Sequence, residues 1–225
     1  MKAVPSSLVI PNGTIEAIKW LALGIMTLDH INKYLFAEKY IGVFDLGRLA
    51  MPLFGFVLAY NLARRGGLER GIYNRTMKRL CVYGLVATPV FFCLVGWWPL
   101  NILFMLLVAA GIAFLVEKGG MGHKAAAVLL FLVGGLFVEF WWFALMFCFF
   151  AWRYCKSPTL GALFGMVASA ASLYVVNRNY WAMAALPLIF AAPHIDLRMP
   201  RLRHVFYIYY PAHLAVILAV SLALK

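Results

Sequence analysis

Acidic residues are scarce in this sequence. Only eight of its 225 residues are Asp or Glu, and charged residues of both signs make up 12%. A soluble domain carries about 25% charged and roughly 45–50% apolar residues. Here the apolar share is 65%, and the mean hydropathy is +0.88. A chain of this length has too little polar surface to enclose so much apolar material. The composition excludes a cytosolic enzyme, a soluble DNA-binding domain and a disordered tail. Missing too is the alternation in segments of about ten residues that marks a membrane β-barrel; the apolar runs are continuous. What remains is an all-α, polytopic integral membrane bundle, with the lipid bilayer as its first partner. Cysteine is scarce as well. Cys81, Cys93, Cys148 and Cys155 match neither a zinc site nor a disulfide framework, so no metal is expected, and they read as small buried hydrophobes. The opening MKAVPSSLVIPNG has no long apolar core and no clean cleavage site, so no signal peptide is expected.

Twenty Lys and Arg outweigh the acids and give a formal charge of +12. They fall in short segments between apolar runs, which is the pattern of positive-inside loops and not of a nucleic-acid face. A spanning helix needs about 20 apolar residues. Runs of that kind predict helices at 15–36, 43–63, 77–97, 100–117, 124–138, 139–155, 158–176, 180–194 and 204–224. The stretch 124–155 is either one long tilted helix or a tight pair turning near Glu139. Charge decides for the pair. The segment holding Arg64, Arg65, Arg70, Arg75, Lys78 and Arg79 belongs inside, and so do Arg153/Lys156 and Arg198/Arg201/Arg203. All three share a side only if 124–155 crosses twice. The expectation is nine spans, N-terminus cytoplasmic and C-terminus outside, in a single domain over 1–225. Pro52, Pro89, Pro187 and Pro211 are expected inside helices as kinks, and Gly161, Gly165, Ala168, Ser169 and Ser172 as a close-packing stripe. No internal repeat supports an inverted-repeat transporter.

In such a chain the informative side chains are ionisable groups at depth. Six positions qualify: Asp29, His30, Arg48, Asn101, Glu139 and His213. At 1.5 Å per residue, Asp29 lies about 21 Å above Ile15 and Arg48 about 7 Å below the outer surface. Asn101 and Glu139 fall at outer helix ends, so four segments bring polar groups to one level. His213, flanked by Tyr209 and Tyr210 and placed after Pro211, rises about 15 Å from the basic loop and reaches mid-membrane. Plainer roles exist for most of them. Asp29 and Arg48 can form a docking ion pair, His30 can bond a carbonyl, Asn101 can cap a helix and Glu139 can be a solvated loop residue. As a cluster they offer a histidine that exchanges protons near neutrality, a carboxylate to orient it and an arginine for a developing oxyanion. Such a kit serves acyl transfer and proton-coupled transport alike.

Several stretches carry a resemblance: IKWLALGIMTLDHINKYLF (18–36), LGRLAMPLFGFVLAYNLAR (46–64), YNRTMKRL (73–80), LNILFMLL (100–107) and FYIYYPAHL (206–214). Together they resemble the TraX family, the F-pilin acetylases of conjugative systems, which is distantly similar to membrane-bound acyltransferases. One departure is local: Arg48 is followed by Leu49-Ala50-Met51-Pro52, where the family usually has Phe-Pro. The resemblance implies a bacterial inner-membrane enzyme moving an acetyl group from acetyl-CoA to the N-terminal amine of a pilin subunit. It also carries over Asp29, His30, Arg48 and His213 as catalytic candidates. On that expectation Arg64, Arg65, Arg70, Arg75, Lys78 and Arg79 attract the CoA phosphates, unless they signal topology alone. His213 meets the thioester as base or transient acyl carrier, and His30, oriented by Asp29, deprotonates the amine. Asn101, Glu139 and Tyr210 face the acceptor. Other readings stay open: a glycan or other envelope acceptor, a small proton-coupled transporter, or an assembly factor that only binds pilin.

Overall fold

The computed structural model describes residues 7–202 and 204–224. Every regular element among them is helical. The first helices are α1 (Asn12–Leu35), α2 (Ile41–Gly47), α3 (Ala50–Ala63), α4 (Ile72–Val95), α5 (Ile102–Lys118) and α6 (Met121–Phe137). There follow α7 (Trp141–Lys156), α8 (Leu160–Ser172), the short α9 (Tyr174–Asn177), α10 (Ala185–Ala191) and α11 (Val205–Ala223). Tight 3-10 turns, Trp181–Ala184 and Ala192–His194, flank α10. All nine expected segments are present, and 124–155 is a pair of helices separated by Val138, Glu139 and Phe140.

Three segments are more broken than hydropathy alone suggests: 158–176 parts at Leu173 into α8 and α9, and proline explains the other two. Pro52 has no N–H to donate to the carbonyl four residues earlier, and that carbonyl belongs to Arg48. The expected helix 43–63 accordingly parts at Arg48 and Leu49 into α2 and α3. Pro187 and Pro193 similarly divide 181–194. Pro52 and Pro187 therefore stand in first turns, and only Pro89 and Pro211 lie inside helices.

Helix α3 is apolar all round and occupies the centre, as such helices do. Leu53 and Phe56 are fully buried, and α1, α5, α7 and α10 pack around it. The loops alternate between two ends. At the basic end Leu8 N–H donates to the Cys155 carbonyl, Arg64 to Asn12 Oδ1, and Lys156 pairs with Glu117. At the opposite end Glu139 N–H donates to the Leu100 carbonyl, Trp98 stacks with Trp141, and Asn179 donates to Asp45. That end also exposes Phe36, Tyr40, Trp97, Trp98, Tyr180 and Trp181. Exposed aromatic rings gathered at one level suit a lipid–water interface.

Four helical stretches among the described residues are long and apolar enough to cross a membrane: Ile41–Ala63, Ile72–Val95, Leu160–Asn177 and Val205–Ala223. Although α1 is 24 residues long, it carries Glu16, Lys19, Asp29 and Lys33. Exposed apolar side chains lie on α4 (Leu85, Val86), α6 (Leu129, Leu132) and α11 (Val216, Leu222).

The expected small-residue stripe is narrower than its sequence. Gly165 and Ser169 are buried, whereas Gly161 is exposed with open space around it. Cys93 is exposed too, against the expectation of four buried cysteines. A Cβ at Gly165 would collide with the Phe150 ring. Gly165→Ala is therefore expected to lower stability by about 1–3 kcal/mol through overpacking. A thermal unfolding midpoint in detergent checks this; an unchanged midpoint would mean that Phe150 has room to turn.

Candidate functional site

Helices α1 and α11 lie side by side and run the same way, and α1 touches first the segment before α11 and then α11 itself, by polar and aromatic contacts at successive levels. Thr14 Oγ1 donates to the Ile195 carbonyl and accepts from Leu197 N–H. Trp20 meets Phe206 edge-on with ring centroids 5.1 Å apart. Thr27 Oγ1 lies 2.9 Å from the Tyr209 hydroxyl. Above them His30 Nδ1 lies 2.8 Å from His213 Nε2, in nearly parallel rings. His213 Nδ1 in turn lies 3.0 Å from the Tyr209 carbonyl oxygen.

The two histidines thus share one level, where the expectation put His213 below His30. Residues 195–202 climb alongside α1 before α11 begins, so His213 starts its rise from higher than the count from the basic loop assumed. Arg203, counted in that loop, lies outside the described residues.

Asp29 belongs to a different pair. One terminal nitrogen of Arg48 donates to both of its carboxylate oxygens, at 2.7 and 2.9 Å, and Arg48 Nε donates to the Phe44 carbonyl at 3.0 Å. The guanidinium also lies over the Phe44 ring, 4.1 Å from its centroid. A Cβ on Gly47 would collide with the Asp29 carboxylate, so glycine lets α2 come this close to α1. No hydrogen bond joins Asp29 to His30 among the described residues, which corrects the expectation that Asp29 orients that ring. The carboxylate is already committed to the stronger, charged donor.

Below the histidines lies a cavity of about 410 Å³. Its apolar walls include Leu23, Met26, Phe54, Val57, Leu103 and Leu106, and Tyr210 and Ile102 also line it. Met26 is one turn before His30, and Tyr210 one turn before His213. The cavity therefore stops about 4.5–6 Å short of the histidine pair, at 1.5 Å of rise per residue. The Tyr210 ring packs edge-on against His213, with centroids 5.5 Å apart.

The other end of the cavity is ringed by Lys19, Arg64, Arg70, Arg75, Arg79 and Arg201. Lys19 and Arg201 converge on the buried carboxylate of Glu16, at 2.6 and 3.9 Å. Among the described residues no carboxylate forms a salt bridge with Arg75 or Arg79. Six cations around one opening repel each other, and an anionic ligand relieves that repulsion.

Arg65 and Lys78, expected with this group, do not line the cavity. Lys19 and Arg201 line it, and sequence reasoning missed both. A signal for Lys19 existed: Lys19, Leu23, Met26 and His30 recur at spacings of four, three and four, one face of a helix. Arg201, on an irregular segment, has no such periodicity. Asn101 has its plainer role. It caps α5, its side-chain oxygen accepting from Leu103 N–H, while its amide donates to the Gly84 carbonyl. Glu139 sits at the turn before α7, within electrostatic reach of Tyr34, Lys33 and Tyr210.

These features define an all-helical membrane protein with a cation-ringed cavity that ends beneath a pair of histidines, one buried and one half-buried. The chain belongs to the TraX family: residues 14–221 match the family described as TraX protein. It is 37% identical over 132 residues to Protein TraX of Escherichia coli, covering 58% of this chain and 51% of that one. To Protein TraX of Escherichia coli strain K12 it is 33% identical over 133 residues, with the same shares. A shorter match, 35% over 71 residues, covers 32% of this chain and 24% of an uncharacterized protein of Rickettsia prowazekii (strain Madrid E). The matches span about half the length of these Escherichia coli relatives. No solved structure matches the chain.

Proposed function

We propose that this protein is a membrane acetyltransferase of conjugation, moving an acetyl group from cytoplasmic acetyl-CoA to the N-terminal amine of a pilin subunit. The observation that carries the reading is the order of the site: a cationic mouth, an apolar shaft, then a histidine pair one turn beyond. Phosphates of CoA suit Arg75, Arg79 and their neighbours, and the uncharged arm that ends in the thioester suits the apolar wall. A cavity of about 410 Å³ is of the size that takes a small ligand. Membership of the TraX family supports the role in conjugation.

In this reading the chain crosses the bacterial inner membrane nine times, with its N-terminus and basic end in the cytoplasm. The concentration of Lys and Arg at that end and of exposed aromatics at the other supports this orientation. The donor then enters from inside and the acceptor amine approaches from the outer end, past Asp29, Arg48 and Glu139. An ammonium must lose a proton before it attacks. The free amine then adds to the thioester carbon, forming the N–C bond while the carbonyl π pair moves onto oxygen. Collapse restores the carbonyl and breaks the C–S bond. The amine nitrogen gives up a second proton through the histidine pair, and the CoA thiolate takes it. The products are the amide, CoA thiol and one released proton.

Intact-mass spectrometry of the pilin from cells with and without this protein tests the reading. The expected result is a pilin one acetyl group heavier at its N-terminal residue only when the protein is present. An unshifted pilin beside well-inserted protein overturns it, and an acetylated glycan in its place reassigns the acceptor.

A further inference from the structure

The hydrogen bonds around the histidine pair run in one direction, and that direction separates the roles of the two rings. The Tyr209 carbonyl oxygen can only accept, so the proton between it and His213 Nδ1, across 3.0 Å, belongs to Nδ1. In a neutral ring His213 Nε2 is then a bare lone pair. The contact of 2.8 Å to His30 Nδ1 is a hydrogen bond only if His30 Nδ1 carries the proton. One lone pair is left over, on His30 Nε2.

The surroundings hold this arrangement in place. His213 is 7% exposed. The carboxylate of Asp29, one residue from His30, is taken up by Arg48. A resting cation on His213 would be buried without a counter-ion. Tyr209 is itself fixed. Thr27 Oγ1 donates to the Leu23 carbonyl at 2.8 Å, so the Tyr209 hydroxyl is the donor in its 2.9 Å contact with Thr27. The Tyr209 ring stacks on His213, 12° from parallel.

We propose that His213 is a positioning residue: it fixes His30 in the tautomer whose free Nε2 accepts the substrate's proton, and it carries no acyl group. The role rests on the acetyltransferase reading, but the tautomer assignment does not. Both nitrogens of His213 are committed, one to the Tyr209 carbonyl and one to His30. Acylation at Nε2 would cost the hydrogen bond that orients the partner ring. When His30 Nε2 takes up a proton, the cation is shared along the Nδ1–H···Nε2 bond.

The proposal separates two substitutions that an acyl carrier would not. The side-chain oxygen of His213→Gln can accept from His30 Nδ1–H, yet it holds neither an acyl group nor a proton. His213→Leu keeps the bulk and offers no acceptor. Losing the group that sets a catalytic histidine's tautomer costs up to about 10⁴-fold in turnover. His213→Leu is expected to fall by about that much with KM nearly unchanged, and His213→Gln to recover at least about tenfold of the loss. Equal inactivity of both variants, with unchanged thermal midpoints, overturns the proposal, as does a His213→Leu protein as active as wild type.

A second readout needs no activity. In full-length protein labelled with ¹⁵N-histidine, the His30 signals, assigned by their loss in His30→Gln, are expected to show protonated Nδ1 and bare Nε2. In His213→Leu this tautomer preference is lost. A bare Nδ1 on wild-type His30 overturns the assignment whatever the enzyme transfers. Wild-type protein that turns over no acetyl-CoA, with the tautomer as expected, overturns the acetyltransferase reading and the catalytic role built on it, leaving the geometry standing.

Discussion

His30→Ala is expected to lower turnover by about 10²- to 10⁴-fold, the range that a positioned general base contributes. Stability should change little by comparison. His30 is half-buried, its side chain makes one hydrogen bond among the described residues, and such a bond contributes about 1 kcal/mol. Nor does the ring line the cavity proposed for the donor, which on α1 reaches only as far as Met26. Affinity for acetyl-CoA should therefore survive, and the loss should appear in kcat. Purified protein in detergent, a peptide with the pilin N-terminus and thiol release from acetyl-CoA supply the measurement. An unimpaired kcat would remove His30 from the chemistry. A loss confined to the KM for acetyl-CoA would extend the donor site past Tyr210.

Much of this architecture could be read from the residues alone, because lipid imposes a simple rule. Backbone polar groups in hydrocarbon must be satisfied within the segment, so apolar runs become helices. That rule, with the charge of the loops, located the turn at Glu139. It was less informative where a local effect intervened. Pro52 breaks the second segment by acting on Arg48, four residues upstream, and the break is where the ion pair forms. Depth counting brought Asp29, Arg48 and His30 to one region, since each lies a short count from an identifiable helix end. It misplaced His213 because residues 195–202 rise without being helical, and no periodicity reports such a climb. Partner choice was not legible either. Asp29 and His30 are neighbours in sequence, but successive helical residues point about 100° apart. One therefore meets α2 and the other α11.

Replacing Arg48 with leucine is expected to destabilise the protein by about 3–5 kcal/mol, since it strands a carboxylate rather than merely removing a contact. The side chains of Arg48 and Asp29 are 15% and 13% exposed, too little for water to take over the lost solvation. The same guanidinium also holds the Phe44 carbonyl near the end of α2, so the α2–α3 break loses its clamp as well. Removing both charges should hurt less than removing one: Asp29→Leu with Arg48→Leu is expected to recover most of the stability lost in the single variant. Unfolding in detergent, run as a double-mutant cycle, measures the coupling directly. Additive losses would mean that solvent screens the pair. A large coupling would show that the ion pair locks α1 against α2, one residue from the histidine on which the proposed chemistry depends.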